Sequence, residues 1–238
     1  EGLDFNMKIA FVIVATNDYV KFVNPLLDSI HKYFLKDHDR DFFVFTDNVN
    51  YPLNHDAVAL EIEPKGWPGD SYYRYHYFLT IKDKLKDYDY IYYLDADMLV
   101  VDHVGEEVLT DLLGVQHPGF IVNRQGTPED AQTESTAYLK KEEVSQYCCG
   151  GFQGGSADEY LKLCEVVSKN IDKDDSKGIL AIYHDESHVN RYFANNPPTK
   201  ILDAGYCAPE SAWSIPFPSM ILALDVSVDQ ILKKDSRG

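Results

Sequence analysis

YDYIYYLDADMLVV, residues 88–101, is the stretch from which the fold is read. Its aromatic and β-branched side chains predict a buried strand. Successive side chains on a strand alternate faces, so Asp95 and Asp97 are expected on one face with small Ala96 between them. Two like charges on an apolar strand repel and are costly to desolvate. A divalent cation is the simplest offset. Carboxylate oxygens suit Mg²⁺ or Mn²⁺, and Mg²⁺-type sites join one or two carboxylates with waters and phosphates. A bare D-x-D is a common pattern, and two aspartates capping a solvated loop is the competing reading.

Working outward, residues 8–15 (KIAFVIVA) form a continuous apolar run of the kind buried on both faces of a mostly parallel sheet. Asn24 followed by Pro25 predicts a helix start, N-cap then first turn, with Leu26, Leu27, Ile30, Tyr33 and Phe34 at helical spacing. Residues 42–46 (FFVFT) predict a second strand and 57–62 a third. Residues 65–69 (KGWPG) predict a loop, with a helix from Asp70 or Ser71 to about Tyr88. Alternating strands and helices predict a parallel-rich α/β sheet. Ligands of such sheets sit at the carboxyl ends of the strands, which puts the ends of the first strand and of the Asp95 strand in one crevice.

The second half is less regular. A short helix is expected over 105–113, a turn at His117–Phe120 leading into a short strand, and irregular or mobile chain over 123–146. Residues 148–155 (CCGGFQGG) are dense in glycine, so backbone can approach a ligand closely. Ser156 with Glu159 predicts a capping box. Residues 183–196 predict a helix with acidic residues in its first turn.

Composition narrows the function classes. The 238 residues suffice for one sizeable core, and the hydrophobic (45%) and charged (26%) fractions are those of an ordinary globular protein. A formal charge of −17 with no basic stripe argues against nucleic acid as partner, and it obliges the chain to supply a local positive device for any anionic ligand. The longest apolar run, residues 9–15, is too short to span a membrane, and no signal peptide is visible. Met7 reads as a natural start, leaving 1–6 as an added remnant or a disordered leader. The four cysteines fit no zinc spacing and no good disulfide framework, so reduced thiols in a cytoplasmic, monomeric protein are expected.

Several motifs then fall in one order: Val44-Phe45-Thr46-Asp47; Gly66-Trp67-Pro68 with Arg74; Asp95-Ala96-Asp97; His117-Pro118-Gly119-Phe120; Gly150-Gly151-Phe152 with Gly154-Gly155-Ser156; and His184-Asp185-Glu186-Ser187 with Asn190 and Tyr192-Phe193. As a set spanning about 8–222, they resemble glycosyltransferase family 6, the histo-blood-group A/B transferase and α-1,3-galactosyltransferase family, with bacterial and phage relatives. The D-x-D resembles that of a metal-dependent member.

The resemblance implies a GT-A fold, α/β with a Rossmann-like parallel-rich central sheet, as a single domain over 7–238. A nucleotide-binding half would cover about 7–101 and an acceptor-binding half about 102–238. It implies retaining transfer of GalNAc or Gal from a UDP-sugar to the 3-hydroxyl of a galactose-ended acceptor, with α linkage. Asp95 and Asp97 would hold Mn²⁺ or Mg²⁺ against the pyrophosphate. Glu186 would be the catalytic carboxylate and also touch the acceptor. Donor contacts would come from Ala15, Thr16, Tyr19, Arg74, Asp95, Ala96, Asp97, Cys149, Gly150, Gly151, His184 and Asp185, and from Lys233 and Arg237, with Lys234 beside them, in a tail over the donor. His117, Ser135 and Tyr183 would contact the acceptor. The small residues at 150 and 151 leave room for an N-acetyl group and favour UDP-GalNAc over UDP-Gal. Cys148, Cys149 and Tyr183 depart from the residues usual there.

Each residue also has a plainer role open to it: a β-to-α turn for Thr16, a surface salt bridge for Arg74, a satisfied structural imidazole for His117, helix capping for Asp185 and Glu186, a tight turn for the glycines. Two other classes compete. A haloacid-dehalogenase-like phosphatase also places D-x-D after an apolar strand, but Leu99 stands where that class has Thr or Val. A non-catalytic sugar-nucleotide or glycan-binding module would bind UDP without turnover.

Overall fold

The computed structural model describes residues 6–225. Among these residues run ten strands: β1 (Lys8–Val14), β2 (Asp39–Thr46), β3 (Val58–Glu61), β4 (Tyr90–Leu94), β5 (Met98–Val100), β6 (Leu112–Val115), β7 (Phe152–Ser156), β8 (Lys200–Leu202), β9 (Ala208–Pro209) and β10 (Ile221–Ala223). The helices are α1 (Val23–Tyr33), α2 (Gly69–Tyr72), α3 (Arg74–Leu79), α4 (Lys82–Leu85), α5 (Ala157–Ser176) and α6 (His184–Asn195). A seven-stranded sheet runs β3-β2-β1-β4-β7-β6-β8, and a three-stranded sheet runs β5-β10-β9. In the large sheet only β7 is antiparallel to its neighbours β4 and β6. The parallel-rich GT-A architecture expected from the sequence is therefore present.

Alternation along β1 splits the core. Ile9, Phe11 and Ile13 pack under α1 with Leu26, Leu27, Ile30 and Phe34. Ala10 and Val12 face the other way, toward Tyr75, Phe78 and Tyr160 of α3 and α5. A strand buried on both faces has no polar positions to show, which is why the sequence reads as unbroken hydrocarbon. β1 lies between β2 and β4, parallel to both, with Val12 opposite Tyr93. Their carboxyl ends are therefore neighbours, as the sequence predicts.

Five local expectations are corrected. The 88–101 run is two strands in two sheets: the Asp95 N–H donates to Gly151 O (2.8 Å), the Met98 N–H closes a turn onto Asp95 O (3.1 Å), and β5 departs to pair with β10. Asp95 and Asp97 thus sit on a turn, not on one strand face. Asn24 is not the N-cap, since α1 already begins at Val23; its amide instead donates to Pro52 O and accepts from the Asn54 N–H, strapping a neighbouring loop. The helix expected to Tyr88 is broken into α2, α3 and α4; near one break the Thr80 hydroxyl bonds Tyr77 O (2.6 Å), competing with the helical ladder. The helix expected over 105–113 is only a 3₁₀ turn, Glu106–Val108, followed by β6, whose four buried residues are too short a run for periodicity to type. The His117 turn is a 3₁₀ turn, Pro118–Phe120, and among the described residues no strand follows it directly.

Residues 123–146 are irregular, but they pack: Glu129, Ala137 and Leu139 are almost fully buried. At the start of α5 the Ser156 hydroxyl accepts from the Glu159 N–H. Asn6 belongs to the described fold, its side chain accepting from the Asp39 N–H (3.0 Å). No helix among the described residues is long and apolar enough to cross a membrane.

Candidate active site

Two cavities open where β1 and β4 end. The first, about 440 Å³, is bounded by Thr16, Asn17 and Tyr19 after β1, by Asp70 and Ser71 of α2, and by Tyr93, Asp95, Ala96 and Asp97 from β4 and its turn. The second, about 350 Å³, is bounded by Arg74, Gly150, Gly151, Ile182, Tyr183, His184, Asp185 and Glu186. Trp67, Ser71 and Asp95 line both, so Asp95 stands on the wall between them.

The first cavity has an acidic floor. Burial and the like charge of Asp95 push the Asp97 carboxyl up to about 7. Asp97 forms no ion pair among the described residues. Burial, then Asp97 and Asp95, raise the Tyr19 phenol above its usual range. The Thr16 hydroxyl donates to Asp70 Oδ2 (2.8 Å), and Asp70 Oδ1 accepts from the Lys65 N–H (2.8 Å), so one carboxylate ties the end of β1 to the loop carrying Trp67. That indole is 83% exposed and stands edge-on to the His184 imidazole, 5.1 Å away.

Arg74 is the cation of the second cavity. Its Nη1 donates to Gly150 O (3.1 Å) and Asp95 Oδ1 (3.3 Å), its Nε to Ser71 O (2.8 Å), and its Nη2 lies 3.2 Å from Asp185 Oδ2. The guanidinium also stacks 4.3 Å over Tyr93, whose hydroxyl donates to Asp95 Oδ1. Burial lifts the Asp185 carboxyl to about 6 even though Arg74 opposes the shift. Glu186 is lifted to about 7, again chiefly by burial, while the Tyr147 hydroxyl donates to its Oε1 (2.8 Å) and the Gly150 N–H to its Oε2 (2.9 Å). A half-buried carboxylate so supported is positioned for chemistry on a bound ligand.

The structure brings together Thr16, Tyr19, Arg74, Asp95, Ala96, Asp97, Gly150, Gly151, Tyr183, His184, Asp185 and Glu186 around the paired cavities. Four expected residues do not line them. The Ala15 side chain lies in the core beneath, between lining residues Val14 and Thr16. Cys149 also faces that core, beside Cys207; all four cysteines are free and buried. Ser135 is buried, its hydroxyl donating to Asp174 of α5 (2.6 Å). His117 accepts the Gly119 N–H on Nδ1 and packs its ring against Phe120 and Tyr147, and burial lowers it to about 4. Lys233, Lys234 and Arg237 lie outside the described residues.

Sequence reasoning missed Tyr147, Tyr93 and Asp70. Tyr147 is a lone aromatic before a glycine run, and nothing local tells which carboxylate it reaches. The role of Gly151 also changes: a Cβ there would come within 2.7 Å of Asp95 Oδ2 and Met98 Cε, whereas one on Gly150 would meet Glu186 and Asp185 at 3.4–3.6 Å, ordinary contact. Gly151 is glycine first to let Asp95 sit where it does.

The residues fit a divalent cation. Asp95 and Asp97 are two hard oxygen donors on one turn, and Asp97 is half-buried with no ion pair among the described residues. No cluster of three or more potential side-chain ligands occurs among the described residues, so such an ion would complete its shell with waters and a ligand's phosphate oxygens.

A family model described as glycosyltransferase family 6 matches residues 3–233. The chain is 31% identical over 218 residues to histo-blood group ABO system transferase 1 of Rattus norvegicus, covering 87% of this chain and 61% of the relative. It is 29% identical over 214 residues to globoside alpha-1,3-N-acetylgalactosaminyltransferase 1 of Homo sapiens, covering 84% of this chain and 61% of the relative. With O-antigen biosynthesis glycosyltransferase WbnI of Escherichia coli it shares 28% over 210 residues, covering 86% and 89%. The chain thus spans about three fifths of the length of the rat and human relatives.

Proposed function

The chain belongs to glycosyltransferase family 6, and from that premise we propose that it moves GalNAc or Gal from a UDP-sugar to the 3-hydroxyl of a galactose-ended acceptor, with retention and an α linkage. The observation that carries this reading is Asp95 on the wall shared by the two cavities, acidic floor on one side and Glu186 on the other. The first cavity would take the uridine and diphosphate, the second the donor sugar and acceptor. Residues 7–101 would then supply most of the donor site and 102–238 most of the acceptor site.

Asp95 and Asp97 would hold Mn²⁺ or Mg²⁺. When bound, that ion would neutralise charge on the departing diphosphate. Thr16, held by Asp70, and Tyr19 would line the nucleoside site. Arg74 would fix Asp95 and Asp185 in one arrangement. Asp185, beside the sugar, would contact its hydroxyls, and Glu186 would stabilise positive charge at the anomeric carbon from the face opposite the departing diphosphate, leaving the diphosphate's face to the acceptor. Gly150 leaves the second cavity open where a methyl group would stand, which favours GalNAc over Gal.

The test is transfer from UDP-GalNAc and UDP-Gal to methyl β-galactoside with Mn²⁺, the product linkage read by NMR. An α-1,3-linked disaccharide supports the reading. A β-linked product, or phosphate release from aryl phosphates with no sugar transfer, refutes it.

A further inference from the structure

Tyr147 is fully buried and held from several sides. Its backbone N–H donates to Arg124 O (2.7 Å), and its carbonyl accepts from the His117 N–H (3.1 Å) and from the Gln146 side chain (3.0 Å). The His117 ring packs edge-on 5.8 Å away and Phe120 edge-on at 5.2 Å. A phenol fixed in this way has little freedom, and it points at Glu186 Oε1. The other carboxylate oxygen takes the Gly150 N–H.

Building on the proposed transfer reaction, we propose that Tyr147 is a positioning residue that keeps Glu186 ionised and fixed in rotamer beside the donor sugar, and that His117 acts through Tyr147 as its buttress. Charge-assisted hydrogen bonds from an immobile donor favour the anion and cost little reorganisation during reaction. They are needed because nearly everything else around Glu186 disfavours its charge. Asp185 on its own helix and Asp95 on the β4–β5 turn are both acidic, and burial works in the same direction. The thiols of Cys148 and Cys207 are near enough to interact with it electrostatically and bring no positive charge. The cation Arg74 is spent on Asp95 and Asp185. The Thr127 side chain also acts on the phenol, favouring its ionised form.

Tyr147→Phe keeps the ring, its packing and the backbone bonds, and removes only the donor. The acid limb of the kcat/KM profile is expected to move up by about one pH unit, so activity near pH 6.5 falls about tenfold and largely recovers by pH 8.5. The midpoint of the Glu186 carboxyl, followed by ¹³C NMR and assigned by its absence in Glu186→Gln, should rise by a similar amount without any substrate present. A wild-type protein that transfers sugar, with either the limb or the midpoint unmoved in Tyr147→Phe, overturns the proposal alone. So does a loss of activity that is equal at every pH, since a merely structural role would give that. A wild-type protein that turns over no UDP-sugar overturns the functional reading itself, and the role in transfer falls with it.

Discussion

Asp95 and Asp185 share one counter-ion. Arg74 reaches Asp95 Oδ1 at 3.3 Å with Nη1 and Asp185 Oδ2 at 3.2 Å with Nη2. One planar guanidinium therefore ties the turn after β4 to the first turn of α6, and so joins the two cavities. Lysine has the charge but not the fork.

Arg74→Lys is accordingly expected to fold and to lose transfer activity by about a hundredfold. Arg74→Met should also destabilise the fold, because it strands a buried Asp185 carboxylate, a change that typically costs about 3–5 kcal/mol. Urea unfolding at pH 8 and kcat/KM for both variants test this. Arg74→Lys at wild-type activity would refute it.

The acidic floor gives a pH signature. Asp97, at about 7, binds a proton more readily folded than unfolded, where an aspartate titrates near 4. The stability tied to its neutral form is complete at low pH and is lost as the pH rises from about 4 through about 7. Asp97→Asn should therefore stabilise the metal-free protein at pH 8, by on the order of a few kcal/mol, and by only about a third as much at pH 5. Comparing the variant with the wild type isolates this effect from His117 and His188, both lowered to about 4 by desolvation, which push stability the other way. An equal effect at both pH values would contradict the assignment.

The adjacent glycines should behave differently. Gly151→Ala drives a Cβ against Asp95, so it should lower kcat/KM for UDP-GalNAc and UDP-Gal alike and raise the Mn²⁺ concentration needed for half-maximal rate. Gly150→Ala fits the backbone and narrows the second cavity, so it should cut use of UDP-GalNAc more than of UDP-Gal. Kinetics with both donors separate the two outcomes; a donor switch at Gly151 with no change in metal requirement would refute the first.

Glu186→Gln keeps size and loses charge. Turnover should fall about a thousandfold with UDP affinity nearly unchanged. Equal turnover would remove Glu186 from the chemistry.

Much of this was legible in the sequence, for reasons visible in particular residues. Unbroken apolar runs in β1 and β2 marked the parallel core, and strand neighbourhood followed from the βα alternation, so Thr16 and Asp95 were placed in one crevice correctly. The acidic start of α6 was legible because charge at a helix start has a local signature. What failed was whatever depends on distant partners. The 88–101 run looks like one strand because both halves are apolar; only the pairing of β5 with β10 shows that it changes sheet. The bond from Ser135 to Asp174 is likewise a contact no spacing predicts. Tyr147 was passed over because its carboxylate lies on another element, 39 residues on.

The central claim is that a diphosphate is held at Asp95 and Asp97 through a divalent ion, beside Glu186. Calorimetric titration of UDP into the protein tests it most directly, with Mn²⁺, with chelator, and with Asp97→Asn. The account predicts binding with Mn²⁺ that weakens at least tenfold under chelator and likewise in Asp97→Asn. UDP bound equally tightly in all three would contradict it.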